Sequence, residues 1–173
     1  MSTSATVKST IAPGLDPSVA SRVLEEAWGP GAWHGPDLKA ALADVTPAMA
    51  FWRPGPGRHN IAEIALHHAW CVRGVVKQLS ATDPEPFLID GEDWFELSGK
   101  EGPSWPEVLA AVDAQQRRLA AVVAGAVAGR IQLPLAESER FELVLGVTCH
   151  AVYHAGQVQL IKRLQAQSGE REP

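Results

Sequence analysis

The 173-residue chain is short of positive charge. Its net charge is −5, and no basic cluster is longer than Arg117-Arg118 or Lys162-Arg163. Nucleic acid or an anionic membrane would need a positive face, and none is visible, so neither is an expected partner. No apolar run approaches the roughly 18 residues of a membrane span. The first ten residues are polar and lack the apolar core of a secretion signal. Only two cysteines occur, Cys71 and Cys149, and both sit in helical patterns rather than in a disulfide framework. The expected setting is soluble, reducing and cytoplasmic. Internal repeats and a strand-like alternation are missing too, which leaves helices to bury the 46% of residues that are hydrophobic.

The most informative stretch is Gly146-Val147-Thr148-Cys149-His150-Ala151-Val152-Tyr153-His154-Ala155-Gly156-Gln157, inside a proline-free run from about Glu139 to Gln167. Apolar residues recur there every three or four positions (Val144, Val147, Ala151, Val158, Ile161), the period of one long helix. His150 and His154 are then one turn apart on one side, close enough for two imidazoles to share an ion. Two histidines in a nearly apolar helix face need a reason, because an unpartnered buried imidazole costs free energy. A metal supplies one.

Upstream, Asp16-Pro17 opens a first main helix through about Trp28, stopped by Gly29-Pro30-Gly31. Short helical pieces follow at Asp37 to Ala43 and from Thr46-Pro47 to Trp52; Arg53-Pro54-Gly55-Pro56-Gly57 is a connector. Asn60 starts the second main helix, which reaches about Leu79, with Glu63 placed as a capping-box carboxylate. Residues 80–103 form a long ordered crossover with Phe87, Trp94 and Phe95 as anchors, and Asp90 to Asp93 as a solvated loop tip whose spacing is not that of a calcium loop. Ser104, with Glu107 three residues on, caps the third helix, which ends near Ala128-Gly129; the fourth follows a second loop. The expected architecture is an all-α four-helix bundle in which two connections are short and one, between helices two and three, is long. Its expected limits are a flexible arm at 1–14, a single domain at 15–167 and a flexible tail at 168–173.

A bundle completes a two-histidine site from a facing helix, and the second helix offers His67 and His68. Its densest apolar direction (Ile61, Ile64, Ala65, Val72, Val75, Leu79) points closest to His68, with His67 about 100° away. The helix is apolar almost all round, so periodicity discriminates poorly between the two.

Glu63-Ile64-Ala65-Leu66-His67, the later His150-x3-His154-Ala155-Gly156-Gln157 and Trp33-His34-Gly35-Pro36 resemble the DinB/YfiT-like family of small metalloproteins, from about Val19 to Leu164. Gly91-Glu92-Asp93-Trp94 and Ser104-Trp105 sit where such sequences carry similar residues. The resemblance implies a four-helix bundle holding a divalent ion, typically nickel or zinc, by one histidine of helix two and two of helix four. In that family the helix-two ligand follows the glutamate by four residues, which implies His67, His150 and His154 here and leaves His68 as the alternate.

Around these, Glu63 could reach the ion or a ligand, although capping accounts for it more simply. Cys71, one turn after His67, reads as a small hydrophobe and Cys149 as a packing residue. Tyr153 and Gln157 flank His154, and Gln157 could bond a metal-bound water or substrate. His34 resembles a family element and is a candidate cofactor contact, or else a loop anchor. Gly146 and Gly156 read as points of close helix approach.

Three neutral imidazoles leave a divalent ion with open positions. The ion can acidify water for hydrolysis, or hold a small-molecule thiol as its thiolate. Zinc hydrolases of the His-Glu-x-x-His type carry a base beside the first ligand. Here that position is Ala151, which favours thiol transfer. The resemblance extends to thiol-dependent S-transferases that use bacillithiol, mycothiol or glutathione. The expected function is a metal-dependent S-transferase acting on a small-molecule substrate, with a metal-dependent hydrolase and a non-catalytic bundle with a structural metal as alternatives. The family resemblance also makes a homodimer plausible.

Overall fold

The computed structural model describes residues 17–29, 31–82 and 85–169. The expected arm at 1–14 lies outside the described residues, as do residues 170–173 of the expected tail. Six helices are found among the described residues: α1 Pro17–Trp28, α2 Leu38–Leu42, α3 Pro47–Phe51, α4 Ile61–Ser80, α5 Trp105–Val127 and α6 Glu137–Gly169. No strand occurs among them. The four long helices α1, α4, α5 and α6 form the bundle, with α4 packed on α5 and α6, and α1 on the same two. The last helix runs into Ser168 and Gly169, where a tail was expected.

Local chemistry explains the boundaries. Asp37 and Thr46 accept hydrogen bonds from Ala40 and Met49 N–H at the starts of α2 and α3. Asn60 caps α4: its Oδ1 accepts from Glu63 N–H (2.9 Å) and Glu63 Oε2 accepts from Asn60 N–H (3.3 Å), the reciprocal pair of a capping box. At α5, Glu107 accepts from both the N–H and the hydroxyl of Ser104.

One expectation about the connections fails. The link from α1 to α4 covers residues 29–60 and is longer than the crossover, because α2 and α3 are built into it. They are not spacers: α2 packs on α6 and α1, and α3 packs on α4.

The apolar core falls into two clusters. One takes α4 through Ala69, α5 through Val112 and α6 from Ala151, and is closed by Phe95, Leu97 and the short helices. The other takes α4 from Val72, α5 from Leu119 and α6 through Val147. The N-terminal halves of α4 and α5 therefore share one end of the bundle with the C-terminal half of α6. Two helices running the same way need a long crossover between them, and residues 81–104 supply it.

That crossover is tied to the start of α4. Asn60 Nδ2 donates to the Leu97 carbonyl (2.7 Å), and Leu97 N–H donates to Glu63 Oε1 (3.0 Å). Arg53 forms an ion pair with Glu63, and His59 Nδ1 lies 3.0 Å from the same carboxylate. Burial by itself would raise the Glu63 carboxyl, but Arg53, the Leu97 N–H and His59 more than offset this and hold it below its ordinary value. Glu63→Ala removes the centre of this network and leaves Arg53 and two N–H groups without their acceptor. We expect it to lower stability by roughly 3–5 kcal/mol in urea unfolding, well beyond the loss of a helix cap alone.

Candidate metal centre

At the seam between the two apolar clusters lie histidines. His67 and His68 come from α4, and His150 and His154 from α6. Their positions follow from helical spacing: His150 and His154 meet edge to face one turn apart (ring centroids 4.2 Å), and α4 faces them. The Nε2 atoms of His67 and His154 lie 3.1 and 3.0 Å from His150 Nε2. Two imidazole nitrogens bound to one tetrahedral ion at the usual 2.0–2.1 Å would stand about 3.3 Å apart. The observed spacing is within a few tenths of that.

The three Nε2 atoms form a group able to hold a metal ion. Its outer side fits the same role. A metal-ligating histidine needs an acceptor on its second nitrogen to fix the tautomer and the ring orientation. His67 Nδ1 lies 3.0 Å from the Asp93 carbonyl and 3.1 Å from Asp93 Oδ1. His154 Nδ1 lies 2.6 Å from Gln157 Oε1, and Gln157 Nε2 in turn donates to the Tyr153 hydroxyl (3.1 Å). His150 Nδ1 lies 3.2 Å from His68 Nδ1. Each of the three rings therefore has one partner behind it.

Asp93 presents both oxygens because its backbone is left-handed (φ 61), a conformation that Asp tolerates better than most residues. Next to it, Trp94 lies flat between His59 and His67, with centroids 3.8 and 3.9 Å away and rings 13° and 6° from parallel. The crossover thus holds His67 by its edge and by its face.

The other residues singled out in the sequence are placed as follows. His68 is fully buried behind His150, its other nitrogen 2.6 Å from the Gln116 amide, so it does not point its free edge at the three Nε2 atoms. Periodicity favoured His68 because its direction is the more buried one, which is the direction of the core and not of the cluster. Glu63 is held by Arg53, His59, Asn60 and Leu97. Gln157 engages the outer nitrogen of His154, and Tyr153 is 63% exposed at the rim. His34 Nε2 bonds the Glu26 carbonyl (2.9 Å), anchoring its turn to α1.

Cys71 Sγ is 3.8 Å from His67 Nε2, and burial, with Asp93 nearby, pushes its thiol up to about 11. Cys149 is exposed, a correction to its reading as a packed residue. Gly146 and Gly156 also face open space and mark no close helix approach.

Sequence reasoning missed His59, Asp93 and Gln116 as parts of the site. His59 and Glu63 stand four apart ahead of His67, one face of α4 extended backwards past its cap. Gln116 interrupts the buried series Val112, Leu119, Val123 of α5, and a polar residue at a core position was the available signal. Asp93, read as part of a solvated loop tip, instead holds His67; the resemblance of Gly91 to Trp94 was the one signal there, because its role depends on where the crossover returns.

Burial depresses His150 to about 4, with His154 and His67 adding repulsion; it also drives His68 far down and lowers His154. A neutral ring is the state in which a histidine binds a metal.

One comparison with known proteins identifies the family. A family model described as the DinB superfamily matches residues 32–158, well over half of the chain and including all four histidines. No curated protein and no solved structure matches the chain.

Histidines that resist protonation when folded bind fewer protons than the unfolded chain below pH 6.5. Metal-free protein should therefore lose stability as pH falls from about 6.5 toward 4, and a His150→Gln variant should lose less of it over that window. Urea midpoints taken across the range check this; parallel profiles for the two proteins would contradict it.

Proposed function

The chain belongs to the DinB superfamily, and on that footing we propose that His67, His150 and His154 hold a divalent ion, nickel or zinc, at which a low-molecular-weight thiol is activated for S-transfer to a small electrophile. The observation that carries the reading is the convergence of three Nε2 atoms whose outer nitrogens each have a partner of their own. A divalent ion so held supplies Lewis acidity, which lowers the pKa of a coordinated thiol or water.

The residues around the centre favour thiol over water. Hydrolysis needs a base near the attacking oxygen. Glu63 is occupied by four partners, and Asp93 turns its carboxylate to the outer side of His67. Burial and Asp93 push the Cys71 thiol up to about 11, so without an ion it is a poor nucleophile, and the reading takes its thiol from a second molecule. Bacillithiol, mycothiol and glutathione are the candidates, and such co-substrates suit a reducing cytoplasmic setting. Tyr153, exposed beside His154, is placed to meet an arriving substrate.

A structural ion is the competing reading, supported by the burial of His67 and His154. Untagged protein should carry one divalent ion per chain by elemental analysis, and the triple variant His67→Ala, His150→Ala, His154→Ala should carry none. Metal-loaded protein should conjugate an electrophile with at least one of the three thiols. Ion binding without conjugation by any of them would leave the structural reading, and ester turnover in the absence of thiol would favour hydrolysis.

The exposed face of α6 carries Leu145, Leu160 and Leu164, an apolar stripe that fits a homodimer. Light scattering should give twice the chain mass for the wild type and the chain mass for Leu160→Glu; a monomeric wild type would refute the pairing.

A further inference from the structure

His68 and Gln116 contribute no ligand atom, yet both are buried, and together they run from His150 to the buried face of α5. What they do rests on the metal reading above and follows from hydrogen-bond direction. Each nitrogen of a neutral imidazole is either a donor or an acceptor, and the two differ within one ring. The Gln116 amide Nε2–H donates to His68 Nε2 (2.6 Å). His68 then carries its proton on Nδ1, which donates to His150 Nδ1 (3.2 Å).

The proton of His150 is thereby placed on Nε2, facing the Nε2 atoms of His67 (3.1 Å) and His154 (3.0 Å). Both can accept, because their own protons face Asp93 and Gln157 on the Nδ1 side. The chain of bonds is complete, and the cluster is closed.

An ion bound to His150 Nε2 needs the lone pair there. That moves the His150 proton to Nδ1, makes His68 Nδ1 the acceptor, places the His68 proton on Nε2 and requires the Gln116 oxygen to face it. We propose that His150, His68 and Gln116 form a tautomer relay that reverses when the centre takes up its ion, with the Gln116 amide turning over at the far end.

The protons balance. The Nε2 proton of His150 leaves at the centre, the bridging proton passes from His68 to His150, and one proton arrives at His68 Nε2, so the number bound is unchanged.

Gln116 also borders open space. It lines a cavity of about 260 Å³ between α1 and α5, together with Ser21, Glu25 and Trp28. The orientation of one amide at this cavity is therefore linked to ion affinity at the histidines, and the linkage works in both directions. His68 and Gln116 are positioning residues for the third ligand.

Two measurements on the full chain test this, with Zn²⁺ as the probe. In long-range ¹H–¹⁵N correlation spectra, His68 should be protonated at Nδ1 without the ion and at Nε2 with it; the same protonated nitrogen in both states overturns the relay. In titration calorimetry, Gln116→Glu, which only accepts, should bind Zn²⁺ about tenfold more tightly than wild type, and Gln116→Lys, which only donates, about tenfold more weakly, with Gln116→Met between them. Equal losses in all three variants, or none, overturn the relay while leaving ion binding intact. A wild type that binds no Zn²⁺ overturns both this inference and the metal reading, and the spectra apply even if a variant fails to fold.

Discussion

A buried imidazole has two nitrogens and cannot leave either to chance, and three of them meet the half-buried His150 at one level of this bundle. In an apolar core each unmatched nitrogen would cost on the order of 1–3 kcal/mol. The fold answers with one specific neighbour for every outward nitrogen: Asp93 for His67, Gln157 for His154, His68 for His150 and Gln116 for His68. What remains is the meeting point of three Nε2 atoms. The polar layer lies between the two halves of the core, and it is satisfied only if α4, α5, α6 and the crossover are in register.

This requirement explains why helix capping and site assembly use the same residues. Glu63 closes the first turn of α4 and also binds Leu97, which fixes the returning end of the crossover. A few residues earlier on that crossover, Asp93 and Trp94 hold His67 from its edge and its face. The capping of α4 and the orientation of its histidine are coupled through one ordered loop, so a defect at the cap reaches the site without any shared contact. The parallel course of α4 and α5 has the same consequence, since it is what makes the crossover long enough to return over His67.

Much of the architecture was legible from residues alone. Asn60 with Glu63, Ser104 with Glu107, and the glycines and prolines after Trp28 mark helix ends through local chemistry, and local chemistry is what a single sequence displays. The helical facing of His150 and His154 was legible for the same reason. The assignment between His67 and His68 was not, because α4 is buried on nearly every side and its apolar pattern has no clear direction. Neither was Asp93, whose oxygens reach His67 across 26 positions of sequence through a left-handed turn. The reading of α1 to α4 as a short link failed because one-turn helices at Leu38–Leu42 and Pro47–Phe51 pack as parts of the bundle.

The charged groups near the centre all face away from it. Arg53 and His59 are turned to Glu63, Asp93 is turned to the outer nitrogen of His67, and burial keeps Cys71 protonated. The inner surface is then made of imidazole nitrogens and aromatic edges. Such a surface offers an ion a seat, while the carboxylates beside it are engaged elsewhere. On the reading proposed here, that is a division of labour: the chain contributes geometry and a neutral, partly dry environment, and the reactive group has to arrive with a second molecule. Selectivity then belongs to the exposed rim, where Tyr153 and Trp94 stand beside the same histidine, and not to the ligands, which are the same three imidazoles whatever approaches them.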